Sequence, residues 1–253
     1  MNASIVLTVA QGKRLIARAV AQMPEVKAAL ENGIIAIGRG TTNAYVAEEM
    51  LGHSIPKGEY VAGRTLPPGV PGNRLGSMKY PDIVLIKGKR IEGMRIAEAV
   101  DKMEAGDVLI KGGNALNYQQ QMVGVLIGHP TGGTTGDNYA TVISRKAHLI
   151  IPIGLEKLVY DDMNLLSRLS RTPDAHPTSP PVSLFPITGT ILTEIEALGI
   201  LCGVQATLYS AGGVAGAEGA LWLLLEGEKH DLDRALKLAK ELESEPNMGL
   251  LPE

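Results

Sequence analysis

The apolar positions of this chain fall into short aliphatic runs separated by stretches of helical spacing. Leu15, Ile16, Ala19, Val20 and Met23, followed by Val26 and Leu30, recur at helical intervals broken at Pro24, which predicts two short helices within residues 12–32. The run IIAIG at 34–38 has strand length and stops at GRGTTNAYVAEEML, where Gly38 and Gly40 predict a turn and residues 45–51 resume helical spacing. The same order returns in EYVAG (59–63), DIVLI (82–86), a helix through IEGMRIAEAVDKM, DVLI (107–110), VGVLIG (123–128) and HLIIPIG (148–154). Short aliphatic strands alternating with helices or glycine turns predict an α/β fold, a Rossmann-like, mostly parallel sheet with flanking helices. The runs at 34–38, 82–86, 107–111 and 149–153 are expected as neighbouring buried strands.

After Gly154 the texture changes. TPDAHPTSPPVSLFP (172–186) holds five prolines and predicts an extended surface connection or an edge strand. Beyond it, TEIEALGILCG reads as a helix, VQATLYSAGGV and GALWLLLEG as two strands around a glycine-rich turn, and DLDRALKLAKELE as an amphipathic helix with Asp231 or His230 near its start. The expected organisation is a main α/β domain over 1–171, a Pro-rich connection over 172–187, and a small α-β-β-α unit over 188–253 that packs on the main domain or extends it.

Composition narrows the class. With 253 residues the chain can bury one substantial core, and 45% hydrophobic with 20% charged residues is ordinary for a globular protein. A net charge of -3 gives no reason to expect nucleic acid. Cys202 is the single cysteine, so neither an internal disulfide nor a thiolate metal cluster is available, which favours a reducing compartment. No signal-peptide pattern opens the chain, and no run reaches the roughly 18 apolar residues that would span a bilayer. A cytoplasmic protein is expected. Aromatic residues are only 4% of the chain, against 30 glycines and 15 prolines, so stacking platforms for bases or sugars are scarce.

Three loops carry candidate chemistry. Gly38-Arg39-Gly40-Thr41-Thr42-Asn43 joins a buried strand to a helix, where free N–H groups and the helix dipole attract an anion and Thr41 and Thr42 add hydroxyl donors. The plainer reading is a glycine turn and a threonine cap. In DVLIKGGNALN, Lys111 ends an apolar strand ahead of Gly112, Gly113 and Asn114, so its ammonium should project from the carboxyl end of the strand, where open parallel sheets bind ligands. The lysine precedes the glycines, so this is not a Walker phosphate loop. GHPTGGTTGDN places Gly132, Gly133, Thr134 and Thr135 between His129 and Asp137, a composition suited to an oxyanion or phosphate cradle. His129 and Asp137 are candidate general bases, although a loop histidine is more often structural. Arg64, Arg74, Lys79, Lys87, Lys89 and Arg90 either complement an anionic ligand or solvate a loop. Glu156, beside Lys157 after HLIIPIG, is either a base or a solvated neighbour of that lysine. No metal-ligand spacing and no nucleophile elbow are present, and no cofactor is expected.

Over residues 12–160 these segments resemble the superfamily that groups ribose-5-phosphate isomerase A, glucosamine-6-phosphate deaminase and the CoA transferases. IIAIGRGTTNAYVAEEML is similar to its first strand, Gly-x-Gly-Ser/Thr-Thr loop and following helix; DVLIKGGNAL is similar to the isomerase's lysine-plus-polyglycine stretch. HLIIPIGLEKLV is similar to a segment of the lactate-utilisation proteins. The resemblance implies a Rossmann-like sheet whose Gly40–Asn43 loop holds a phosphate or related anion contacted by Lys111. Two departures count against the isomerase reaction: its acidic motif has no counterpart before Asp107, and glutamine, near Gln119, falls where its catalytic glutamate would lie. No recognisable motif surrounds a glutamate nucleophile of the CoA-transferase kind.

The expected function is therefore an enzyme, isomerase- or transferase-like, that binds and transforms a small phosphorylated or carboxylated metabolite: a sugar phosphate, an acyl-CoA or an organic acid. Its alternative is a non-catalytic binding or regulatory protein that keeps the anion pocket and has lost the base. A dinucleotide site is disfavoured, because no acidic residue stands about 20 positions after GRGTTN in a clear fingerprint. The expected partners are that anionic metabolite and further copies of the chain in a homo-oligomer, with no nucleic acid and no membrane.

Overall fold

The structure, a computed structural model, describes residues 1–63, 65–67, 69–70, 79–173 and 182–248. The chain opens with β1 (Asn2–Leu7), a strand outside the expected pattern, whose Ile5 and Leu7 turn inward. Thr8 then caps α1 (Val9–Val20): its hydroxyl accepts the Gln11 N–H while the Gln11 side chain accepts the Thr8 N–H. α2 (Pro24–Asn32) begins on Pro24, where a first turn needs no N–H donor. β2 (Ile34–Ile37) follows, and α3 (Thr41–Leu51) ends at Gly52, whose φ of 70° suits a residue without Cβ. Next come β3 (Ile83–Ile86), β4 (Lys89–Arg90), α4 (Ile96–Val100), β5 (Val108–Ile110), β6 (Ala115–Asn117), β7 (Met122–Ile127), α5 (Gly133–Ser144), β8 (His148–Pro152) and α6 (Met163–Leu169). β9 (Ser183–Ile187), β10 (Thr190–Leu192), α7 (Glu194–Cys202), β11 (Gln205–Ala211), β12 (Leu221–Glu226) and α8 (Lys229–Leu242) complete the order.

The fold is α/β, built on a six-stranded mixed sheet in the order β10-β8-β5-β2-β3-β4. The four expected strands are neighbours in it. β10, β8, β5 and β2 are parallel, β3 is antiparallel to β2, and β4 turns back antiparallel to β3. The reversal has a local cause. The chain beyond α3 returns to the carboxyl end of β2, where the Tyr60 carbonyl accepts the Gly40 N–H at 3.0 Å, and β3 therefore starts beside Ile37 and runs back. EYVAG is correspondingly not a strand: it closes a 3-10 turn at Lys57–Glu59, and the buried Tyr60 hydroxyl donates to the Ile37 carbonyl.

VGVLIG forms β7, which lies outside the main sheet as the centre of an antiparallel β6-β7-β9 sheet. β9 is its edge strand, where Pro186 is tolerated, and residues 174–181 of the proline-rich segment lie outside the described residues. The third sheet, β1-β12-β11, pairs the start of the chain with its end. β1 thus joins the expected C-terminal unit, while β10 from that unit belongs to the main sheet; the 172–187 connection does not separate the sheets. One large buried cluster runs from Ile5 through Ile35, Ile110 and Ile150 to Leu242, and Ala115, Met163 and Leu184 form a small second one. Asp107 anchors the entry to β2, its carboxylate accepting the Ile34 and Glu104 N–H groups at 2.7 Å each. Among the described residues no helix is long and apolar enough to cross a membrane.

One ionic cluster ties the helices together. Arg14 of α1 reaches Glu48 at 2.5 Å and Glu49 at 2.9 Å on α3, and Glu245 beyond α8 at 2.8 Å. Buried Glu48 also accepts from Lys57 at 3.0 Å and from the Ile55 N–H at 3.0 Å. Burial alone would push its carboxyl up, but hydrogen bonds from Arg14, Ile55 and Lys57 outweigh that and hold its pKa below the ordinary carboxylate value. Glu48→Gln should lower unfolding stability by about 3 kcal/mol in urea titrations at pH 7, because it leaves buried cations under-compensated. The folded pKa lies below the unfolded one. The Glu48 contribution is therefore complete above the unfolded value, and the wild-type advantage should fade as pH drops through the folded value.

Candidate functional site

Inter-strand hydrogen bonds continue past the carboxyl ends of the parallel strands and fix the turns beyond them. Gly38 N–H donates to Ile110 at 2.7 Å, Lys111 N–H to Ile150 at 2.9 Å and Ile153 N–H to Leu192 at 3.0 Å. The GRGTTN turn, Lys111-Gly112-Gly113, the Gly154–Lys157 turn and Glu194 are thereby placed along one edge of the sheet, where open parallel sheets bind ligands. Lys13, from the first half of α1, faces the same group of charges.

The α3 entrance and Lys111 are in direct apposition. A Cβ on Gly38 would lie 3.0 Å from Lys111 Cδ and 3.7 Å from Asn43 Nδ2, so the glycine leaves room for the lysine stem to cross the loop. Asn43 Nδ2 donates to Gly38 O at 2.7 Å and to Ile110 O at 3.4 Å, locking the first turn of α3 onto the strand ends. Asn43 Oδ1 and Thr42 Oγ1 are buried with no hydrogen-bond partner among the described residues. Leaving a buried polar atom unpaired costs about 1–3 kcal/mol, a cost that a ligand supplying the missing partners would remove. Gly40 is the N-cap and Thr41 is half-buried at the first position of α3. Arg39 is held to Asp82 at 2.9 Å.

Two lysines sit on consecutive carbonyls. Lys111 Nζ donates to Gly112 O at 3.0 Å and Lys157 Nζ to Gly113 O at 2.8 Å. Burial, and secondarily the charge of Lys157, lowers the Lys111 pKa to about 8. Burial lowers Lys157 as well, against the pull of Glu156 and Glu194, and lowers Lys13 against the same two carboxylates. Glu194 is fully buried and accepts the Leu155 N–H at 2.9 Å. Desolvation, reinforced by Glu156, pushes its pKa up to about 8. Space for both carboxylates comes from glycine. A Cβ on Gly154 would collide with Glu156 Oε2 and lie 3.0 Å from Glu194 Oε1, and one on Gly12 would meet Glu194 Oε1 at 2.5 Å. Burial shifts three amines and a carboxyl toward neutrality here, and two of these groups, Lys111 and Glu194, change protonation near pH 8.

The remaining expected residues have other placements. Asn114 is exposed and its Oδ1 accepts the Leu126 N–H at 3.0 Å, while Gly113 packs under Val123. Both therefore hold the β6–β7 hairpin. The third loop follows antiparallel β7 and precedes α5, so the parallel-sheet reasoning that would bring it to the site does not apply to it. His129 and Asp137 are exposed; His129 Nδ1 lies 3.0 Å from Thr131 Oγ1, and the buried Asn138 donates to Thr134 O. Gly132 and Gly133 take φ of 84° and 56°, a backbone need that accounts for these glycines at the α5 cap, and Thr135 is buried. Gln119 is exposed at the tip of the β6–β7 hairpin and borders a 630 Å³ groove with Leu155 and Ile195. Lys87, Lys89 and Arg90 belong to the β3–β4 hairpin beside Ile34, the edge of the sheet opposite Lys111, whereas Arg64 and Arg74 lie outside the described residues.

Lys13 and Glu194 escaped the sequence reading. Glu194 belongs to Thr193-Glu194-Ile195-Glu196, whose Thr193 and Glu196 form a capping box, so its acidity reads as a favourable first-turn charge. Only its place after β10 gives it a second role. Among the described residues no cluster of three or more His, Cys, Asp or Glu side chains could hold a metal ion. No family model matches the chain, and neither does any curated protein or solved structure.

A carboxyl held in a desolvated position should cost stability. Because the folded pKa of Glu194 is raised, the folded state binds more protons than the unfolded one between the two values, and wild-type stability falls as pH rises through that window. Glu194→Gln should therefore raise unfolding stability above pH 8, by on the order of 1–3 kcal/mol, with the gain shrinking toward pH 5. Melting temperatures of both proteins across that pH range check it; a variant less stable at every pH would show the carboxylate to be a structural ion-pair member.

Proposed function

We propose that this chain is an enzyme that binds and transforms a small phosphorylated or carboxylated metabolite at the carboxyl edge of its main sheet. The observation that carries the reading is the apposition of the α3 entrance, with unpartnered Thr42 Oγ1 and Asn43 Oδ1, to the desolvated Lys111, with Lys157 on the next carbonyl along. In this reading the anion lies over the first N–H groups of α3, which carry about half a unit of positive charge, and between them and the lysines. Thr42 donates its hydroxyl to the anion, and Asn43 Oδ1 accepts a ligand hydroxyl. A sugar phosphate or a hydroxy acid supplies both partners. The Glu156–Glu194 pair supports catalysis over mere binding, since it provides the carboxylate that Gln119 does not. The GRGTTN turn and the KGGN stretch, adjacent in the fold as well as similar in sequence, support the further proposal of a Rossmann-like relative of the sugar-phosphate isomerase and CoA-transferase superfamily.

Lys111→Met tests this. A charge-assisted contact is worth roughly 1.5–3 kcal/mol, so calorimetric affinity for inorganic phosphate or ribose 5-phosphate should fall about ten- to a hundredfold. Stability at pH 7 should hold or rise, because a cation that burial disfavours has been removed. Binding should also take up protons: an anion beside Lys111 favours its charged form and raises its pKa, so affinity weakens as pH climbs through 8. Calorimetry in two buffers of different ionisation enthalpy measures that uptake. Unchanged affinity in the variant, or binding without proton uptake at pH 8, would remove Lys111 from the anion site.

A further inference from the structure

We infer that Lys111 is a nucleophilic amine that forms a Schiff base with the carbonyl carbon of its anionic ligand, so that the substrate class is a small aldehyde or ketone bearing a phosphate or carboxylate. The inference rests on the proposed anion site and adds a covalent step to it. Its ground is geometric. Lys111 retains partial exposure at the strand edge, and its stem is confined between the Gly38 turn and Gly112. The second amine, Lys157, is hydrogen-bonded to the next carbonyl along, and no carboxylate forms an ion pair with Lys111 among the described residues. A desolvated lysine beside another cation is a recognised way to keep an amine unprotonated enough to attack. The depressed pKa of Lys111 agrees with that placement.

The step balances with what the site holds. The neutral Nζ lone pair attacks the carbonyl carbon, the C=O π pair moves to oxygen, and a proton passes from nitrogen to that oxygen to give a carbinolamine. Lys157, whose ammonium sits on the next carbonyl along, gives a proton to the hydroxyl, which leaves as water while the C=N bond forms. The products are an iminium on Lys111, a neutral amine on Lys157 and one water. No net charge is created in the site, and hydrolysis returns the amine. The anion held at α3 keeps the carbonyl within reach, which substitutes for the high concentration such an attack needs in solution.

The test is reductive trapping on the full chain. Pyruvate and glycolaldehyde phosphate, as carboxylated and phosphorylated carbonyl probes, are each incubated with the protein and borohydride, and the product is digested and mapped by mass spectrometry. A single reduced adduct on Lys111 is expected from at least one probe, with a labelling rate that climbs through about pH 8. Lys157→Met should move that rate profile to higher pH, because it removes the neighbouring cation. Lys111→Arg removes the nucleophilic amine and should lose the adduct; Lys111→Met is the second variant without that amine if the arginine variant misfolds by circular dichroism. Adducts scattered over surface lysines at the rate of free lysine, or seated on Lys157 or Lys13, would overturn the inference. If phosphate binds and neither probe traps, the Schiff base is wrong and the anion site stands. If phosphate does not bind either, the underlying reading has failed.

Discussion

The hydrogen-bond ladder that runs on beyond β2, β5 and β8 carries more of this molecule than its length suggests. Three donors, Gly38, Lys111 and Ile153, each reach the carbonyl of the adjacent strand after regular pairing has ended. In that register the Lys111 stem passes close over Gly38, and the Gly154 turn lies against Glu194. A parallel sheet exposes its strand ends together, so residues far apart in the chain meet without any loop having to reach. The charges at this edge depend on that register, and the glycines at 12, 38 and 154 are the vacant volume into which those side chains fit.

α1 divides two electrostatic environments. Arg14 enters a cluster in which every charge has a hydrogen-bonded partner, and there the opposing charges win over desolvation: Glu48 is held ionised. Lys13, one residue earlier and about 100° away around the helix, faces the reverse case, where burial wins and lysines and Glu194 all shift toward neutrality. The first arrangement is what a structural ion pair looks like. In the second, Glu156 and Glu194 pull Lys13 and Lys157 only part of the way back, and desolvation decides the balance.

Much of the frame was legible in the chain. The four aliphatic runs at 34–38, 82–86, 107–111 and 149–153 lie side by side because nothing but a fully covered sheet can bury such segments. Pro24, read as the break between two short helices, opens α2. The GRGTTN and KGGN loops were visible as candidate chemistry because glycine and threonine between an apolar strand and a helix are a local feature. What misled was the assumption that every apolar run joins one sheet. β7 has the same pattern as β5, yet antiparallel pairing with β6 and β9 takes it elsewhere.

By itself, then, the sequence determined most of the strands and helices, that their core is aliphatic, and which three loops have a composition suited to an anion, since each is set by spacing and side-chain chemistry within a few residues. Tertiary structure alone decided the reversal of β3, the pairing of β1 with β12, and the meeting of Lys13, Lys111, Lys157, Glu156 and Glu194. Those are consequences of strand order, a long-range property to which periodicity is blind. The altered proton affinities of the three lysines and Glu194 were equally beyond the sequence, because they arise from the water each group loses and the charges it gains only when the strand ends come together.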